Sequence, residues 1–193
     1  IINHKKLNGS ISFLITGDEE GFATNGTKKV VDYLKKRKEK INFCIVGEPT
    51  NPKKLGEMIK IGRRGSLSAE LEIFGTQGHI AYPHLSNNPI NTLVKICLEL
   101  KKKKLDQGNK NFQPSNLEFT GVNVDNKAHN VIPASAKTQF NVRYNNLQTA
   151  SKLKKKINSI IKKISKKSKC KYKINYLENG EAFLTKPGKN IIL

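Results

Sequence analysis

The chain has 193 residues, 36% of them hydrophobic, with 36 Lys and Arg against 15 Asp and Glu and a formal charge of +21. That length holds one or two domains with cores of their own, and clear apolar periodicity argues against disorder. No apolar run approaches the roughly 20 residues that cross a bilayer, and few aromatics are interleaved with the dispersed lysines. Neither a membrane nor a nucleic acid is therefore expected as a partner.

In chain order, the first apolar run, residues 11–15, reads as a buried strand that ends at Gly17. It delivers Thr16-Gly17-Asp18-Glu19-Glu20-Gly21, three adjacent carboxylates at a strand tip. Close like charges repel, and burial disfavours the charged form. Such a cluster is either a solvated turn that caps the next helix or one half of a cation or proton-transfer site. Asn25-Gly26-Thr27 then opens a helix with Val30, Val31 and Leu34 on one face and a basic end. Residues 43–46 form a second continuous apolar run, followed by Gly47-Glu48-Pro49. Strand, helix and strand, both strands fully apolar, predict a parallel sheet covered on two faces. Its C-terminal edge, where α/β sheets bind ligands, carries Glu19, Glu20 and Glu48.

The pattern changes after Gly62-Arg63-Arg64-Gly65. From Ser66 the residues alternate, Leu67, Ala69, Leu71 and Ile73 against Ser68, Glu70 and Glu72, as in a half-solvated antiparallel strand. Pro89 opens a helix with Ile90, Leu93, Val94 and Cys97 at helical spacing. Residues 117–124 and 136–144 are strands; Thr149 or Ser151 caps a helix with Leu153, Ile157, Ile160, Ile161 and Ile164 on one stripe; residues 172–177 close the set. Strand, helix, strand, strand, helix, strand predicts a two-layer α+β domain close to a ferredoxin-like plait. The lysine-rich helix near 151–167 is expected as the outer layer of that sheet rather than as a membrane helix. The expected domains are a partial α/β domain over 1–64, an inserted α+β domain over 65–177, and a return to the first from 178 to 193.

Cys44, Cys97 and Cys170 stand in no metal-ligand spacing; Cys44 and Cys97 sit in apolar patterns and are expected as buried thiols of a reducing compartment, the cytoplasm. Of the four histidines, His4 and His84 read as surface residues. His79 differs, lying in Gly78-His79-Ile80-Ala81-Tyr82-Pro83, a shaped turn of the kind an oxyanion-binding imidazole needs. His129-Asn130-Val131-Ile132-Pro133 is a second such loop, able to add a polar side chain to the same pocket. The role of His129 stays open.

These motifs together resemble one family. Thr16-Gly17-Asp18-Glu19-Glu20-Gly21, Val46-Gly47-Glu48-Pro49-Thr50, Gly62-Arg63-Arg64-Gly65-Ser66, the His79 turn, Asn130-Val131-Ile132-Pro133-Ala134 and the stretch from Phe183 occur in its order. The family is that of the dinuclear zinc aminoacylases and carboxypeptidases, and within it the succinyl-diaminopimelate desuccinylases. The resemblance implies a metal-dependent hydrolase of N-succinyl-LL-2,6-diaminopimelate, a homodimer through the inserted domain. It also implies two zinc ions, with cobalt a substitute. Glu19 would be the general base, Glu20 and Glu48 ligands to one zinc each, and His79 the oxyanion stabiliser of the partner subunit's site. Arg63, Ser66, Tyr82, Asn130 and Arg143 would bind substrate, and two arginines suit a substrate with several carboxylates. In that family a first His and a bridging Asp come before, and a last metal His after, the stretch matched here. The chain, which starts at Ile1 and ends in Ile191-Ile192-Leu193, is thus expected to be an internal segment, inactive alone. A related deacylase, for acetylornithine or another acyl amino acid, is the nearest other reading. A basic dimerisation module without catalysis is the reading from a different class.

Overall fold

The computed structural model describes residues 9–17, 19, 24–178 and 180–186. They belong to two compact units, residues 1–49 and 50–193. In the first, α1 (Thr27–Lys36) carries half-buried Val30, Val31 and Leu34, with Lys35 and Lys36 at its C-terminal end, as the helical spacing predicts.

The two strands expected beside it do not form. Residues 11–15 and 43–46 are irregular, and Phe13, Ile15, Ile45 and Val46 are largely exposed. Every strand pair among the described residues is antiparallel, so the two expected parallel strands are not seen among them. A fully apolar parallel strand needs strands at its edges and helices on both faces. Among the described residues of this unit α1 is the only regular element, so these continuous apolar runs have little to bury against. Cys44, expected buried, is exposed for the same reason.

The second unit is built on alternation. β2 (Gly65–Phe74) turns Leu67, Ala69, Leu71 and Ile73 inward, each at most 2% exposed. β6 (Ser135–Tyr144) does the same with Ala136, Phe140, Val142 and Tyr144. These two strands pair along their whole length, from Gly65 opposite Tyr144 to Phe74 opposite Ser135. β4 (Asn116–Asn123) joins the far side of β6 with a bulge between Phe119 and Gly121, and β7 (Lys171–Glu178) joins β2, giving the order β4-β6-β2-β7. With α2 (Pro89–Lys102) and α3 (Ala150–Lys167) on the apolar face, this is the ferredoxin-like plait that the pattern predicts. Leu93, Ile96 and Leu100 of α2 and Leu153, Ile157 and Ile161 of α3 complete the core, and the lysines of α3 lie outward. Asn88 and Thr149 cap the helices, accepting from Ile90 N–H and Lys152 N–H. Small two-residue pairs frame the plait: β1 (Gly62–Arg63) with β8 (Phe183–Leu184), and β3 (Gly78–His79) with β5 (Val131–Ile132).

A polar knot fixes the connection from α2 to β4. The Asp106 carboxylate accepts from Gly108 N–H, Ser115 N–H and the fully buried Asn145 side chain at 2.7–3.1 Å. Burial alone would push this carboxyl up, but the hydrogen bonds from Ser115, Gly108 and Asn145 outweigh it and hold it at about 2. The folded value lies below that of an ordinary carboxylate, so the stabilisation is complete at neutral pH. It is lost as the pH falls from about 4 towards 2. Asp106→Asn is therefore expected to unfold at lower urea than the unaltered chain at pH 7, with the gap closing near pH 2. A gap of constant size across that range would contradict this account of the knot.

Candidate active-site loops and the residues they gather

The turn after β2 is shaped by close backbone approach. Thr76 and Asn87 exchange backbone hydrogen bonds at 2.9 and 3.0 Å, closing the neck of the loop between them. A Cβ on Gly75 would lie 2.0 Å from the Asn87 carbonyl oxygen, so only glycine fits there. The loop then folds back through β3 onto β5, with His79 opposite Val131, Gly78 opposite Ile132, and Ile80 N–H donating to Asn130 C=O at 3.0 Å. His79 and Asn130, 51 positions apart, thereby meet: the Asn130 carboxamide lies 3.4 Å from His79 Nε2. Nδ1 of His79 accepts from Ala81 N–H at 3.1 Å. Tyr82 stands beside them, its ring centroid 6.2 Å from that of His79, and its own edge contact is with His84. His79, Tyr82 and Asn130 are all exposed, as an oxyanion or carboxylate site on a loop requires.

Ser66 and Arg143 meet elsewhere. Ser66 pairs in register with Arg143, and Asn116 flanks Arg143 from β4. Arg143 is exposed on the open face of the sheet. Ser66 is buried, accepting from Asn141 Nδ2 at 3.1 Å and donating its N–H to Gly180 C=O at 3.1 Å. Arg63 is exposed on β1, and its neighbour Arg64 donates to Asn116 Oδ1 at 3.3 Å. Two residues not singled out in the sequence matter here. Asn141 joins Ser66 to Ser68, and Asn126 donates to Val131 C=O at 2.8 Å while accepting from Ala128 N–H. Both are asparagines in polar contexts, which sequence alone does not distinguish from solvated ones.

The two groups sit at opposite ends of β2. Ser66 and Phe74 are eight residues apart on one extended strand, which is about 27 Å. A small molecule held by Arg143 cannot reach His79 of the same chain. His129 lines a cavity of about 290 Å3 beside the same loops, with Lys127, Asn126, Ile80, Ile90 and Ile132 among its walls.

In the first unit, Glu19 and Glu48 are exposed, and Glu20 lies outside the described residues. Among the described residues no three His, Cys, Asp or Glu side chains come together to hold a metal ion. The carboxylates are of the right donor type, but zinc sites take three or four protein ligands, and the described residues do not complete such a set.

Residues 61–169 match the peptidase dimerisation domain family. Over 189 residues the chain is 64% identical to a succinyl-diaminopimelate desuccinylase of Pelagibacter ubique, and over 187 it is 48% identical to that of Parvibaculum lavamentivorans. These matches cover 98% and 97% of this chain but 49% and 47% of the relatives, so the chain spans about half their length. Among solved structures, a tripeptidase from Staphylococcus aureus superposes with a TM-score of 0.57 at 13% identity, over 68% of this chain and 33% of that one. A putative aminohydrolase from methicillin-resistant Staphylococcus aureus gives 0.55 at 19% identity, over 65% and 32%. At such identities these two show the fold alone.

Proposed function

Because the chain belongs to the peptidase dimerisation domain family, we propose that the whole protein is a metal-dependent amide hydrolase acting as a homodimer. Its substrate in this reading is N-succinyl-LL-2,6-diaminopimelate, cleaved to succinate and LL-diaminopimelate for lysine and cell-wall precursor synthesis in the cytoplasm. The desuccinylases among its sequence relatives support that substrate. No helix among the described residues is long and apolar enough to cross a membrane.

The observation that carries the reading is the separation of the two polar groups along β2. Arg143 lies at the Ser66 end of β2, whereas His79 stands on the separate β3–β5 ribbon reached after the Phe74 end, which argues against one small substrate spanning both within one chain. β4 is an edge strand, and its two ends, Asn116 and Asn123, lie towards the Arg143 end and the Asn130 loop respectively. If two copies pair through β4 about a two-fold axis, the strands run antiparallel. The Asn116 end of one copy then meets the Asn123 end of the other, and each His79 loop approaches the partner's Arg143. An apolar stripe runs beside that edge. Val94 and Leu98 of α2 are about half exposed and share a helix face with Lys101, whose Nζ donates to Leu117 C=O on β4 at 3.1 Å. The double variant Val94→Glu, Leu98→Glu is expected to weaken dimerisation by about tenfold or more in sedimentation experiments while leaving the plait folded. An unchanged dimer would place the interface elsewhere.

The roles follow from side-chain chemistry. Glu20 and Glu48 would supply one carboxylate ligand each to two zinc ions, cobalt being a substitute. The bound ions would supply an acidified water and a polarised amide carbonyl. Glu19 accepts the proton from the attacking water and returns it to the leaving amine. His79 donates to the oxyanion from the partner subunit. Arg63 and Arg143 pair with substrate carboxylates, and Ser66, Tyr82 and Asn130 are further substrate-binding positions, Tyr82 and Asn130 from the His79 loop. By this reading the 193-residue chain alone is inactive. Comparing kcat/KM for N-succinyl-LL-diaminopimelate and N-acetylornithine on the whole protein tests the substrate. The succinyl compound is expected to be strongly favoured, and a preference for acetylornithine would reassign the protein to the related deacylases.

A further inference from the structure

The hydrogen bonds around His79 fix which of its nitrogens carries the proton. Nδ1 faces Ala81 N–H at 3.1 Å, and Nε2 faces the Asn130 amide nitrogen at 3.4 Å. A neutral imidazole accepts at one nitrogen and donates at the other, so it cannot accept from both. One contact must change. The Ala81 N–H belongs to a backbone held on both sides, by Ile80 N–H to Asn130 C=O and Tyr82 N–H to His79 C=O, each at 3.0 Å. The Asn130 carboxamide turns about one terminal bond, and its oxygen and nitrogen exchange places with almost no change of shape.

We propose that His79 is preset as the Nε2–H tautomer, with Ala81 N–H occupying Nδ1, and that Asn130 is the positioning residue whose side-chain oxygen accepts from Nε2–H in the resting state. Asn126 serves the same end, since its bonds to Val131 C=O and Ala128 N–H tie the loop that presents Asn130. A ligand bearing a carbonyl or anionic oxygen then gains the Nε2–H by displacing the Asn130 oxygen, with no change of tautomer in the reaction cycle. That last step rests on the proposed hydrolase; the tautomer and its partner do not.

Long-range nitrogen–proton NMR on the 193-residue chain reads both directly, in buffer alkaline enough to leave histidines neutral, with the His79 signals assigned by their loss in His79→Gln. The expected pattern is a pyridine-type Nδ1 and a pyrrole-type Nε2. In Asn130→Ala the tautomer is expected to persist while Nε2–H exchanges with water about fivefold faster, the equivalent of one exposed hydrogen bond. Asn130→Asp, which keeps an oxygen in place, is expected to restore slow exchange. A pyrrole-type Nδ1, an even mixture of tautomers, or unaltered exchange in Asn130→Ala overturns the proposal. None of these readouts depends on turnover, so a different substrate would leave this inference standing, and the wrong tautomer would overturn it whatever the substrate.

Discussion

Glu19→Gln in the whole protein is expected to lower kcat by about 10²–10⁴-fold, the range for loss of a positioned general base, with KM little changed. Gln preserves the shape and the hydrogen-bonding reach of Glu but cannot take up a proton. The loss therefore falls on the step in which water attacks and not on substrate binding. The two neighbouring acidic groups separate on the same logic. In the proposed site Glu20→Gln and Glu48→Gln would each remove a metal ligand, so added zinc is expected to recover part of their activity, whereas Glu19→Gln is expected not to be rescued by metal at any concentration. Full activity in Glu19→Gln would end the general-base assignment.

The second large effect belongs to His79. Removing one oxyanion donor costs about 10²–10³-fold in kcat, and His79→Ala is expected to fall in that range. His79 is itself exposed on its two-residue ribbon, outside the plait core, so its removal is expected to leave thermal unfolding unchanged. A large drop in stability would mean that the side chain holds the loop together and that the kinetic loss is indirect. Asn130→Ala is expected to give a smaller loss than His79→Ala, since the imidazole keeps its proton on Nε2 through Ala81.

The plait was legible because its strands alternate. Leu67 to Ile73 and Ala136 to Tyr144 place every second residue inward, and that period is set by the strand itself. Residues 11–15 and 43–46 were not legible, because a continuous apolar run has no period of its own. Its structure depends on which neighbours cover it. Val94 shows the reverse case. It lies in the helical apolar pattern of α2, yet it is exposed beside an open sheet edge. The pattern records that the residue is apolar and not what covers it. The site divided in the same way. The loop chemistry of His79 and Asn130 could be read from glycine, proline and polar residues at strand ends, but their meeting could not. It depends on the β3–β5 ribbon, which is two residues long and too short to leave a periodic trace. The separation of Arg143 from His79 was likewise invisible until the register of β2 and β6 put Arg143 opposite Ser66, at the other end of β2 from the loop that carries His79.

The claim that one active site draws on two subunits is tested most directly by mixing two inactive variants. Whole-protein Glu19→Gln and His79→Ala homodimers are each expected to be nearly inactive. In a mixed dimer, the His79→Ala subunit keeps its Glu19 and receives His79 from its Glu19→Gln partner, which completes one of the two sites. Statistical reassortment makes half the dimers mixed, so succinate release from N-succinyl-LL-diaminopimelate is expected to recover to about one quarter of the unaltered protein's rate. If the subunits exchange and no activity returns, His79 does not act across the interface, and the dimeric site proposed here is wrong.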